Sequence, residues 1–200
     1  MFLNIWTPYI PRCPRDALAK DLKPVMFFIH GGCYATGNDP TYDGGIVVSR
    51  GDVVVVAINY PLISFDFLAL DDGITNGNYG FADTITALDW VQDNIRDFGG
   101  DLDRITIFGQ SSGAATVRAM LALPKAIGKF VAAIPQSNLG GLKDGTYSLY
   151  QTIAEEVSGT ANTLLKEANC TSTRWPHGLN VSPLYQPIRL QIFPRMLKPW

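Results

Sequence analysis

Apolar positions along the chain fall into two periods, and the switching between them predicts the order of the elements. Phe2 to Trp6 alternates as a strand does and stops at Thr7-Pro8. Val25-Met26-Phe27-Phe28-Ile29 and Val53 to Ile58 are short unbroken apolar runs, the pattern of strands covered on both faces. Phe81, Ile85, Leu88, Val91, Ile95 and Phe98 recur at helical spacing, and Gly99-Gly100 ends that helix. Ile105 to Phe108 predicts another buried strand, Ala114 to Leu123 a helix closed by Pro124, and Phe130 to Ile134 a further strand. Ile153, Val157, Ala161, Leu164 and Leu165 put an amphipathic helix over Leu149 to Ala168. Strands alternating with helices predict an α/β fold: a mostly parallel central sheet with helices on both faces.

Two stretches break the pattern. The segment from Pro8 to Pro24 is a loop punctuated by Pro11 and Pro14. From Arg174 to Trp200 there are prolines at 176, 183, 187, 194 and 199 and no clean period of either kind. Such a segment is expected to be irregular and to add no strand to a parallel sheet. The expected organisation is one partial domain over residues 1–173 followed by a proline-rich tail over 174–200.

Composition changes this picture little. An apolar fraction of 46% with 17% charged residues is that of a globular protein. The net charge of −2, without a Lys/Arg cluster, argues against nucleic acid as a partner. No apolar run approaches the ~18 residues of a membrane span. The first residues carry no basic start, long apolar core or cleavage site of a signal peptide. Cys13, Cys33 and Cys170 have no metal-ligand spacing, and Asp83, Asp89, Asp93 and Asp97 read as solvated or capping carboxylates. No metal or cofactor is expected. Asn169-Cys170-Thr171 and Asn180-Val181-Ser182 are N-glycosylation sequons, which tilt towards a secreted parent.

The chemistry concentrates at Gly109-Gln110-Ser111-Ser112-Gly113, a G-x-S-x-G turn between a buried strand and a helix. That context makes it a nucleophile elbow rather than a turn that happens to hold a serine. Gly109 and Gly113 allow a turn too tight for flanking side chains, and the strained geometry presents the Ser111 hydroxyl at the carboxyl edge of the sheet. The Ser112 amide, at the amino end of the following helix, then suits an oxyanion. His30 closes the strand before Gly31-Gly32 and is read as support for that turn. Cys33 as a nucleophile is the weaker reading, since no base is placed to activate it.

With the His30-Gly31-Gly32 turn, four segments in order resemble the type-B carboxylesterases, the group that includes cholinesterases and many fungal lipases. They are Leu3 to Pro8, Gly77 to Asp83, Ala87 to Ile95, and Phe98 to Gly113. The resemblance covers roughly residues 1–173. It implies an α/β-hydrolase fold, a carboxylic ester as small-molecule or lipid substrate, and an acyl-serine mechanism with Ser111 as nucleophile. It also implies an oxyanion hole from the amides of Gly32, Cys33 and Ser112, with His30, Gly31, Gly109 and Gly113 in support. Cys33 stands where the family commonly has a third glycine, so a positive φ there would store strain. Family members carry their catalytic acid and histidine far downstream, on loops this chain lacks. The expectation is therefore a fragment inactive by itself. His177, with Glu155, Glu156 or Glu167 as acid, formally satisfies the order of triad roles, but the intervening pattern offers no strand to carry those loops. A non-catalytic binding or adhesion module is the alternative, since some relatives of this fold bind partners through a dead site.

Overall fold

The computed structural model describes residues 1–12, 21–37, 42–70, 75, 77–137, 157–167 and 189–194. Its strands are β1 (Phe2–Thr7), β2 (Lys23–Ile29), β3 (Val54–Asn59), β4 (Gly100–Gln110), β5 (Ala132–Gln136) and β6 (Arg189–Pro194). They form one sheet in the order β5-β4-β2-β3-β1-β6. Only the β1–β3 pair is antiparallel; every other neighbouring pair is parallel. The helices are α1 (Gly45–Gly51), α2 (Ser64–Phe67), α3 (Tyr79–Asn94), α4 (Ser112–Ala122) and α5 (Asn162–Glu167).

The central strands β2 and β3 are mostly apolar because both faces of the sheet are covered there. Along β2, Val25, Phe27 and Ile29 enter the main core with Leu88, Val91 and Ile95 of the α3 region and Val117 and Met120 of α4. Met26 and Phe28 point the other way, into a second cluster with Ala57, Phe108, Trp6 and Tyr42. On that face Gly44, at the start of α1, lies so close to Trp6 and Val55 that a Cβ would sit within 2.9 Å of both side chains. Helices therefore cover both faces, as the unbroken apolar runs predict.

The expected boundaries shift at several elements. The elbow strand is longer than Ile105–Phe108 because Gly100 pairs with Lys23 ahead of an irregularity in the β2–β4 register. The strand expected at Phe130–Ile134 lies two residues later, and the helix after the elbow begins at Ser112 rather than Ala114. Of the helix expected over Leu149–Ala168, the described part is a π-helical turn at Val157–Ala161 leading into α5. One expectation is overturned. Arg189–Pro194 in the proline-rich segment pairs in parallel with β1, from Phe2↔Arg189 to Thr7↔Pro194. The prolines are compatible with this because Pro194 closes the strand and β6 lies at the sheet's edge, where a missing donor costs least.

For the site, one consequence matters most. β2 and β4 are parallel neighbours in register, with Ile29 opposite Gly109. The turns leaving their carboxyl ends, at His30 and at Gln110, are thereby side by side on one edge of the sheet.

Candidate active site

Ser111 has φ 57° and ψ −121°, a conformation that L-residues rarely adopt and that costs of the order of 1–3 kcal/mol. Three contacts hold it. Its amide donates to the Gln136 carbonyl at 3.0 Å, its carbonyl accepts from Ala115 at 3.0 Å, and the flanking glycines press on β2. A Cβ at Gly109 would lie 2.7 Å from the Ile29 carbonyl oxygen, and one at Gly113 would overlap that same atom. The two glycines are thus required by the approach of β2 to the elbow. Ser111 sits at the tip, half-buried, as the first residue beyond the strand.

The second arm leaves β2. The Gly32 carbonyl accepts from the Ala35 and Thr36 amides at 3.0 and 2.9 Å, closing a one-turn coil. Gly32 adopts φ 121°, and Cys33 and Tyr34 both adopt left-handed values of 56° and 55°. The strain expected at Cys33 is present. Its thiol is exposed and free. Among the described residues neither Gly32 nor Cys33 donates its amide within the protein. Ser112, the first residue of α4, has no carbonyl four residues back inside the helix. The two arms touch at Gly31, where a Cβ would stand 3.2 Å from the Ser111 Cβ. The predicted oxyanion donors and the predicted nucleophile therefore lie on adjoining turns.

His30 is not placed to be the base. It is buried, stacked on Tyr60 at 4.4 Å, and its Nδ1 donates to the Gly31 carbonyl at 2.9 Å. Burial lowers its pKa, so the ring is neutral with the proton on Nδ1. Nε2 is buried with no partner among the described residues, so neither nitrogen reaches Ser111. The Tyr60 hydroxyl donates to the His30 carbonyl at 2.7 Å, and burial and Tyr34 push its pKa above the phenol's usual value. His30 and Tyr60 together pin the start of the turn. His177, Glu155, Glu156, Cys13, Cys170, Asn169 and Asn180 lie outside the described residues, and Glu167 is exposed on α5. No group of His, Cys, Asp or Glu among the described residues is arranged to hold a metal.

Sequence reasoning missed Asp66. It is 1% exposed, its carboxylate accepts the Gly80 amide at the start of α3, and burial followed by the nearby Asp83 raises its pKa to about 7. Nothing in Phe65-Asp66-Phe67 signals this, because α2 is too short to show a period. Of the helix aspartates, Asp89 pairs with Lys129, whereas Asp83 is half-buried with its pKa raised, unlike a solvated group.

The chain is similar to several known proteins. Mouse carboxylesterase 1E is 40% identical over 167 residues, covering 82% of this chain and 28% of that protein. Mouse neuroligin-2 is 45% identical over 126 residues, covering 62% of this chain and 15% of its own length. A Geobacillus stearothermophilus carboxylesterase structure superposes with a TM-score of 0.58 at 44% identity, over 65% of this chain and 27% of that one. The chain thus spans less than a third of these relatives' length, and its fold is that of an α/β-hydrolase in part. The sequence profile of the carboxylesterase family matches residues 1–178, and the chain belongs to that family.

Proposed function

We propose that this chain is the nucleophile-bearing part of a serine carboxylic ester hydrolase. The observation that carries the reading is the strained Ser111 turn, held beside a coil with two undonated amides. In the reaction, the Ser111 hydroxyl gives its proton to the base as its oxygen attacks the ester carbonyl carbon, and the carbonyl oxygen becomes an oxyanion held by the amides of Gly32, Cys33 and Ser112. Collapse breaks the ester C–O bond, the protonated base returns the proton to the departing alcohol, and water, deprotonated by the same base, hydrolyses the acyl-serine. Each amide removed from such a hole costs ~2.7–4 kcal/mol of transition-state stabilisation. The acid and the base are assigned to sequence outside the described residues, because His30 is committed to its own turn. The sequons at Asn169 and Asn180 support a secreted parent.

Incubation of residues 1–200 and of Ser111→Ala with p-nitrophenyl acetate, followed by peptide mapping, tests this. Acetyl on Ser111 with release of p-nitrophenol, both lost in the variant, is the expected result. Labelling that ignores the substitution would overturn it. A non-catalytic binding module is the second reading, and it rests on the neuroligin-2 match. It ranks lower because a binding surface has no need of the strain stored at Ser111.

A further inference from the structure

Tyr34 joins the two arms of the site. Its hydroxyl lies 3.0 Å from the Thr116 Oγ1, and the Thr116 hydroxyl in turn donates to the Ser112 carbonyl at 3.2 Å. Thr116 has one proton to give, so Tyr34 donates to Thr116 and a two-bond relay runs from the coil after β2 to the first residue of α4. The Tyr34 carbonyl also accepts from the Ile63 amide at 2.8 Å. Its ring meets Phe67 edge-on at 5.0 Å, with Tyr60 and Phe81 each 6.4 Å away. Cys33 and Tyr34 are consecutive left-handed residues, and such residues revert unless the surroundings over-determine them.

We propose that Tyr34 is a positioning residue: through Thr116 it locks the Gly32–Cys33 amides at a fixed distance from the Ser112 amide, so that the three converge on one oxyanion. This deepens the ester-hydrolase reading and rests on it for its catalytic meaning. The lock itself is a structural relation that can be tested without turnover. Cys33, exposed and next to Tyr34, reports on the coil directly.

In a Cys13→Ser, Cys170→Ser background of the whole chain, the rate of Cys33 alkylation by iodoacetamide is measured for Tyr34→Phe, Thr116→Val, the double variant and Thr116→Ser. The expected result is a several-fold acceleration in both single variants, no further acceleration in the double, and a rate near the parent's when Thr116→Ser keeps the hydroxyl. Unchanged rates, or effects that multiply in the double variant, would overturn the lock. Near-ultraviolet circular dichroism is run on each variant. If Tyr34→Phe fails to fold, the comparison of Thr116→Val with Thr116→Ser decides alone. The catalytic half is read from Ser111 acetylation by p-nitrophenyl acetate. A drop of about tenfold in the limiting acylation rate of Tyr34→Phe at unchanged half-saturating ester is expected, equivalent to ~1.4 kcal/mol. A rise in half-saturation at constant limiting rate would sink the positioning role. Absence of any acetylation in the parent would count against the ester-hydrolase reading, while the alkylation rates would still judge the lock.

Discussion

At the scale of single residues, the site is a set of backbone conformations imposed by close approach. Gly113 shows this best, because a methyl group there would stand 2.1 Å from the Ile29 carbonyl oxygen. Backbone cannot yield as a flexible side chain can, so Gly113→Ala is expected to destabilise the fold by at least ~3 kcal/mol or to prevent folding. Urea unfolding measures it; a loss under ~1 kcal/mol would mean that β2 and the elbow are less tightly apposed than described. Cys33 is the opposite case. It carries the left-handed penalty of roughly 1–2 kcal/mol, whereas glycine at φ 56° carries none but loses about 0.5–1 kcal/mol to chain entropy. Cys33→Gly is therefore expected to leave stability unchanged or raise it by up to ~1 kcal/mol, with the amide still available. Equal or higher thermal midpoints check this, and a clear fall would show that the thiol packs in a way its exposure does not suggest.

At the scale of elements, period and burial agree where the element is long and disagree where it is short. The apolar spacing of Phe81 to Ile95 located α3 because the helix shows the core a stripe containing Ala87, Leu88 and Val91. Leu88 is fully buried in the main core, so Leu88→Ala is expected to cost about 2–5 kcal/mol. Leu121 on α4 is 56% exposed, and its alanine variant should stay within ~0.5 kcal/mol. A chemical-denaturation comparison of the two separates a helix docked by its stripe from one held otherwise. The central strands were legible for the same reason, as was the elbow, since a glycine-flanked serine between a strand and a helix is a local signal. Three features were not. α1 and α2 have seven and four residues, too few for a period to emerge. β6 was hidden by the prolines in and around it, because a segment's pairing with β1 is a long-range relation that local composition opposes. Tyr34 and Thr116 lie 82 residues apart, so their bond appears only once β2 and β4 are neighbours. A weak clue existed in Thr116, four residues beyond Ser112 and hence on the same face of α4.

At the scale of the whole molecule, two buried titratable groups set opposing pH dependences. Asp66 has its pKa raised to about 7 by burial and by Asp83, with the Gly80 amide acting the other way. A carboxyl whose pKa is higher folded than unfolded holds its proton longer in the folded state. Its favourable contribution is complete below the unfolded value of 3.8, declines as pH rises, and is gone above about 7. His30 behaves oppositely. Its pKa is lowered, so the neutral ring favours the folded state above the unfolded value of 6.5 and that contribution fades on acidification. The two slopes therefore have opposite signs on the acid side of neutrality. Asp66→Asn removes one of them. Its side-chain carbonyl can still accept from Gly80, and no charge needs to be buried at neutral pH. The variant is therefore expected to be more stable than the parent at pH 8, by about 1–4 kcal/mol, and to lose that advantage progressively as pH falls to 4. Thermal unfolding of both proteins from pH 4 to 8 decides it. A difference that does not change with pH would mean that Asp66 is ionised across the range, held so by the α3 amino terminus, and that burial is the weaker of the two influences on it.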